Sequence, residues 1–203
     1  MIVAAAAFAA PVLAQQAATS DVPGAAAPAK KSKHKPAAAV AAAPAAAAAA
    51  AASGGAKPTL LGQYGDWGAY TASPGGKKVC FTIAKPASSE TSPPGKSRNP
   101  PYMFISSRPA EKVSNEVSII IGYPFKPNSE ATVAVGSTSF ALYTQQDGAW
   151  IKNAAEEGNL IAAMRAGQNA VLKGTSAKGT QSTDVFSLKG LAQALDRSDQ
   201  DCK

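Results

Sequence analysis

Two cysteines, Cys80 and Cys202, are the only thiols in the 203-residue chain, and one of them is the next-to-last residue. Chain ends usually fray, so a structural side chain there calls for a reason. Two thiols offer three chemistries: metal ligation, nucleophilic catalysis or a disulfide. A structural zinc site takes about four soft ligands. The single histidine, His34, lies far outside the candidate folded region. Thr59–Lys203 therefore has no histidine base, no Ser-His-Asp triad and no histidine metal ligand. We assign no catalytic residue, no metal ligand and no cofactor, and the ligand-binding residues stay unassigned.

Whether the two sulfurs join depends on the compartment, and the N-terminus bears on that. MIVAAAAFAAPVLAQQ opens with an uncharged apolar run from Ile2 to Leu13, ending in small residues around Ala14. This is the apolar core and cleavage site of a secretory leader, although the usual positive n-region is missing. The run is too short for a membrane span, which takes about 20 residues. We expect a signal peptide over residues 1–14 and a periplasmic or secreted mature protein. Disulfides persist in such compartments. A Cys80–Cys202 bond would close a loop on the order of 120 residues, stabilising by about 4–5 kcal/mol in the chain-entropy model. The alternative is two buried free thiols.

Residues 15–58 are dominated by Ala, Pro, Lys, Ser and Gly, without one Phe, Trp or Tyr. Such a segment cannot bury enough apolar area to offset its ordering entropy, so a disordered linker is expected there. It carries the basic cluster KKSKHK (Lys30–Lys35). That cluster reads as a solubilising run, or as a contact to anionic envelope polymer. Without interleaved aromatics it is a poor nucleic-acid site. The net charge of +7 is concentrated there, since Thr59–Lys203 holds 15 basic and 12 acidic residues.

Thr59–Lys203 reads as a single, mainly β domain: an antiparallel β-sandwich or barrel with two short helices, one of them C-terminal. Val79–Ala84 alternates, with Cys80 facing away from Val79, Phe81 and Ile83. Val117, Ile119 and Ile121 share a face. Gly136-Ser137 separates two strands as a hairpin turn, and Ala177-Lys178-Gly179 does the same. The Pro-rich Pro86–Pro101 stretch is expected to be a surface loop. Asn153 should cap one helix and Gly167 close it. Ser187 should cap the other, with Leu188, Leu191, Ala192 and Leu195 as its apolar stripe. That helix would carry Cys202 toward the second face of the Cys80 strand, although Asp199 and Asp201 oppose the helix dipole at its end.

The remaining chemical signals resolve into structure. GTSAKGT (Gly174–Thr180) has two phosphate-loop glycines, but Thr180 stands where the lysine belongs, so a hairpin turn is expected. PPGKSR (Pro93–Arg98) has Glu90 where the first glycine should be. Glu156-Glu157 suits a helix N-terminus. Asp196, Asp199 and Asp201 read as a solvated group. Tyr64, Trp67 and Tyr70 read as packing around the first strand.

YGDWGAY, the Cys80 strand, SRPAEKVSNEVSIIIGYPF, FALYTQQDGAWIKNA, GTSAKGT and FSLKGLAQAL, in this order, resemble the invasion-associated locus B (IalB) family of exported α-proteobacterial proteins. The resemblance covers nearly all of Thr59–Lys203. It implies a secreted or periplasmic, mostly β domain with no established enzyme activity. Some members of the family promote entry into host cells. The expected function is thus an exported binding module for an envelope polymer or host-surface component, with a role in invasion or envelope maintenance. Its rivals are a histidine-free enzyme acting on cell-wall polymer and a peptidoglycan-adhering tether that works through the basic linker. No nucleic-acid partner and no integral membrane span are expected.

Overall fold

A computed structural model describes residues 54–203. The expected leader, the KKSKHK cluster, His34 and nearly all of the expected linker lie outside the described residues. Within them, eleven strands form one antiparallel sheet. They are β1 (Thr59–Tyr64), β2 (Trp67–Ala72), β3 (Val79–Ala84), β4 (Ser88–Ser92), β5 (Tyr102–Arg108), β6 (Val113–Ile120), β7 (Glu130–Val135), β8 (Thr138–Gln145), β9 (Gly148–Ile151), β10 (Asn169–Thr175) and β11 (Gln181–Ser187). Two helices, α1 (Glu157–Ala166) and α2 (Leu191–Asp201), complete the domain. The mainly β class, the antiparallel pairing and the two helices are as the sequence indicated. No helix of the described residues is long and apolar enough to cross a membrane.

The strand order is β1-β2-β3-β5-β6-β9-β8-β7-β10-β11-β4. β3 and β4 are thus third and last in the sheet, yet only Lys85–Ala87 separate them in sequence. A link that short spans at most about 14 Å. The sheet must therefore curl until its far edge returns beside β3, and the result is a sandwich. Ala87 N–H donates to Val185 O at 2.7 Å, which fastens the crossing.

The curled sheet encloses one large core containing Trp67, Met103, Ile105, Ile119, Val133, Leu142, Leu172 and Phe186. Both helices contribute to it, α1 through Leu160, Ile161 and Met164, and α2 through Leu191, Ala194 and Leu195. A second cluster of Tyr70, Val79, Phe81, Ile83, Tyr102 and Phe104 occupies the opposite face of β2, β3 and β5. Period-two alternation along β3 assigns Val79, Phe81 and Ile83 to that cluster and turns Cys80 to the other face.

Several local expectations need correction. Ser187 does not cap α2. Its hydroxyl accepts from Lys189 N–H at 3.3 Å, and the helix begins after Gly190, whose φ is +90°. A methyl there would stand 2.0 Å from Tyr64 O, so the β1–β2 turn and the entry to α2 pack backbone to backbone. Trp67 Nε1 donates to Ser187 O at 2.9 Å and ties the same two segments together. The buried stripe is Leu191, Ala194, Leu195 and Ser198; Leu188 is buried ahead of the helix and Ala192 is only partly covered.

The Pro-rich stretch is not all loop, because β4 lies within it and pairs with β11. Its residues, SSETS, give no apolar alternation. The short strand β9 also went unread, since Gly148-Ala149 carries little β signal. Asn153 caps a short 3-10 turn leading into α1, accepting from Ala155 N–H at 3.2 Å, and Gly167 ends that helix.

α2 lies across β1, β2 and β3. Its end is joined to β3 by a Cys80–Cys202 bond with Cα atoms 5.9 Å apart. The acids that oppose the dipole are held by cations. Lys78 Nζ lies 3.1 Å from Asp201 Oδ2, and Arg165 on α1 reaches Asp196 at 2.8 Å and Asp199 at 3.6 Å. Partial burial raises the Asp201 carboxyl, but hydrogen bonds from Lys78 and Thr71 outweigh it and bring the group below its ordinary value.

Replacing both cysteines (Cys80→Ser with Cys202→Ser) should lower the unfolding free energy by about 2–5 kcal/mol. Guanidinium denaturation with and without reductant measures this, and a midpoint unmoved in either comparison would contradict it. Leu195→Ala should cost about 2–5 kcal/mol in the same assay.

Candidate functional site

Three segments meet at one end of the sandwich: the stretch from Ser92 to Asn99, the Gly122–Pro124 corner after β6, and the β10–β11 turn from Ser176 to Thr180. They enclose an open cleft of about 950 Å³. The turn is GTSAKGT, the hairpin that the failed phosphate-loop spacing indicated. Ser176 Oγ accepts from Thr180 N–H at 3.0 Å, and Gly179 takes φ +82°.

The floor of the cleft is a buried polar cluster. Arg98 and Asp184 form an ion pair through Nη2 and Oδ1, with side chains 8% and 0% exposed. Arg98 Nη1 also donates to Ile121 O at 2.7 Å, and Ser89 Oγ donates to Asp184 Oδ1 at 2.6 Å. Asp184 Oδ2 is buried with no hydrogen-bond partner among the described residues. The Arg98 guanidinium lies 5.5 Å from the Tyr123 ring centre, and the Tyr123 hydroxyl is 2.7 Å from Ser182 Oγ. Burial raises the Tyr123 phenol above its ordinary value, with the Ser182 bond opposing.

This cluster fixes the stretch that carries Lys96. Gly122, at φ +85°, lets the backbones touch: Asn99 N–H donates to Gly122 O at 3.1 Å, and a methyl at Gly122 would meet Asn99 O at 2.0 Å. Lys96 and Lys178 then stand exposed on facing walls. The lining residues include three cations (Lys96, Arg98 and Lys178), several hydroxyls and no acid. Asp184 neutralises Arg98 from below, so the two lysines set the charge of the cleft. An anionic group is the chemistry this arrangement suits.

The residues singled out in the sequence lie elsewhere. Cys80 and Cys202 are bonded at the α2 end. Trp67 is fully buried and Tyr70 nearly so, while Tyr64 packs against the main core. Glu157 folds inward and accepts from Val117 N–H at 2.6 Å, so the pair Glu156-Glu157 is split between roles. Asp196, Asp199 and Asp201 pair with Arg165, Lys78 and Arg197. Among the described residues, no group of three or more His, Cys, Asp or Glu side chains is placed to hold a metal. Sequence reading missed the Arg98–Asp184 pair. The one available signal was an aspartate at an inward position of a strand, between Ser182 and Phe186.

Arg98→Met leaves the buried Asp184 without its cation, held only by the Ser89 hydroxyl, and should cost about 3–5 kcal/mol. Adding Asp184→Leu should recover most of that loss in thermal denaturation; a double variant no better than the single would contradict the assignment. Burial, and secondarily the Glu116 charge, raises the Glu157 carboxyl against the opposing Val117 bond. The folded state therefore holds that proton more tightly than the unfolded state does. Its stabilisation is complete below the ordinary value of 4.5 and is lost as pH rises through the higher folded value. Glu157→Gln should flatten that loss, read as melting temperature across about pH 4–8.

No curated protein matches the chain. A crystal structure of invasion associated protein b from Bartonella henselae is similar at 18% identity and a TM-score of 0.48, covering 68% of this chain and 94% of that one. The family model described as invasion associated locus B (IalB) protein matches residues 67–199, more than half of the chain. The chain belongs to the invasion associated locus B family.

Proposed function

We propose that this IalB-family protein is exported and acts by binding, without catalysis, at an anionic group of an envelope polymer. The observation that carries this reading is the cleft, walled by Lys96 and Lys178 with no acid in its lining. Its shape is built into the folded domain: the Arg98–Asp184 pair and the Asn99–Gly122 contact hold one wall in place before any ligand arrives. Preorganisation of this kind reduces the ordering cost of binding. The Cys80–Cys202 bond supports maturation in an oxidising compartment, in keeping with the expected leader over residues 1–14. In a pathogen, the corresponding target is an anionic host-surface group, which connects the cleft with the invasion named in the family description.

The full mature chain should be retained on purified cell-wall sacculi at low salt and released as salt rises, because screening weakens exposed charges. Lys96→Glu with Lys178→Glu should release at clearly lower salt. Both proteins carry the KKSKHK cluster, so the difference reports the cleft. Equal retention of the two would refute the reading.

A further inference from the structure

The outer face of the curled sheet carries a second feature, built from residues of neither the cleft nor the disulfide. Tyr143 on β8 and Trp150 on β9 are direct cross-strand partners. Their rings lie 22° from parallel with centroids 5.6 Å apart. Tyr143 is 47% exposed, one of two large apolar side chains left exposed among the described residues. Trp150 is partly exposed.

The local sequence makes these rings a shelf. Gly148, two residues before Trp150, has no side chain on that face, and the indole lies over its backbone. A methyl at Gly148 would stand 2.3 Å from Trp150 Cη2. The indole therefore lies over Gly148, and the tyrosine ring stacks nearly parallel to it.

Strand register continues the shelf into a polar lane. Glu130 on β7 pairs with Tyr143. In the next row, Thr132 pairs with Lys173 on β10, and Lys173 with Thr183 on β11. Glu130, Thr132, Lys173, Gln181 and Thr183 surround a shallow hollow of about 270 Å³. Glu130 is ion-paired with Lys152, and Lys152 N–H donates to Ala141 O on β8 at 2.9 Å. One exposed ring and one partly exposed ring, bordered by these polar groups, make a mixed apolar and polar surface.

The chemistry of the lane selects its occupant. A pyranose ring offers an apolar C–H face to an aromatic ring and hydroxyls at its rim, which is what two flat rings followed by carboxylate, ammonium, hydroxyl and amide groups can take. An aromatic side chain that is apolar in body and polar at the tip suits such a mixed surface. Glu130 and Lys152 cancel each other, so the aromatic end of the lane carries no net charge, and Lys173 is the one cation along its length, where the cleft presents two exposed lysines. From β9 to β11 the lane crosses four inter-strand spacings, roughly 19 Å, the length of about four sugar units.

We propose that Tyr143 and Trp150, with the Glu130–Thr183 lane, form a binding site for a neutral glycan chain laid across the strands. Its hollow shares no lining residue with the lysine-walled cleft. A purely structural role for the pair, as cross-strand packing, predicts no glycan binding.

The chain has a built-in reporter. It holds two tryptophans, and Trp67 is fully buried, so collisional quenching of fluorescence reads Trp150. The probe is a series of N-acetylglucosamine oligosaccharides, from dimer to hexamer, titrated into the full mature protein with acrylamide quenching as readout. Quenching should fall saturably, with affinity rising to the tetramer. Tyr143→Ala should weaken binding about tenfold or more. Gly148→Ala, which keeps both rings but lifts the indole, should weaken it as well. Circular dichroism confirms that each variant is folded. Lys96→Glu with Lys178→Glu should bind the oligosaccharides like the parent, which separates this site from the cleft. No protection of Trp150 up to about 10 mM probe would overturn the proposal. Binding undiminished in a folded Tyr143→Ala protein would overturn it too.

Discussion

Three residues between β3 and β4 impose the main constraint on this molecule. They bring the last strand of an eleven-strand order back beside the third, so the sheet cannot stay open. Curling encloses the large core and brings β11 close to β1–β3. α2 leaves β11 and lies across those three strands, filling the core from that side with Leu191, Ala194 and Leu195. Its entry is fastened by the Gly190–Tyr64 approach and the Trp67–Ser187 bond, and its exit by the bond between Cys80 and Cys202. A cysteine at that point makes sense in this setting, because the helix closes one side of the core and the bond fixes its far end to β3.

The same crossing builds the cleft. The chain that follows β4 must return from the far edge of the sheet to start β5, and the stretch from Ser92 to Asn99 is that return. A polar return path over an apolar core needs an anchor, and Arg98 supplies it by reaching Asp184 and the Ile121 carbonyl together. A buried ion pair of this sort adds little net stability over an apolar pair of similar volume, but losing one partner is costly. It thus acts more on position than on strength. The segment that carries Lys96 is held against the sheet by it.

The domain class was legible because alternation along β3, β7, β8, β10 and β11 is strong and their turns carry glycine. The C-terminal helix was legible from its stripe, although its start was misplaced: Ser187 is a good cap by type, while the backbone crossing at Gly190 is a long-range fact that no local pattern carries. β4 escaped because an edge strand of Ser, Glu and Thr pairs through its backbone alone. Arg98 and Asp184 are 86 residues apart in sequence, and neither sits in a recognisable motif. The Tyr143–Trp150 shelf escaped for a similar reason, since it needs the register of two strands, one of them unread. Patterns within a segment show which face is buried; which segments meet depends on the curl of the sheet.

The central claim is that α2 is held on the sheet by a covalent bond formed after export. Non-reducing peptide mapping of the protein taken from cell-envelope fractions, with thiols alkylated at lysis, tests it most directly. The account predicts a linked peptide pair containing Cys80 and Cys202, in a chain whose first 14 residues have been removed. Recovery of both cysteines alkylated, in a protein that retains residues 1–14, would contradict it.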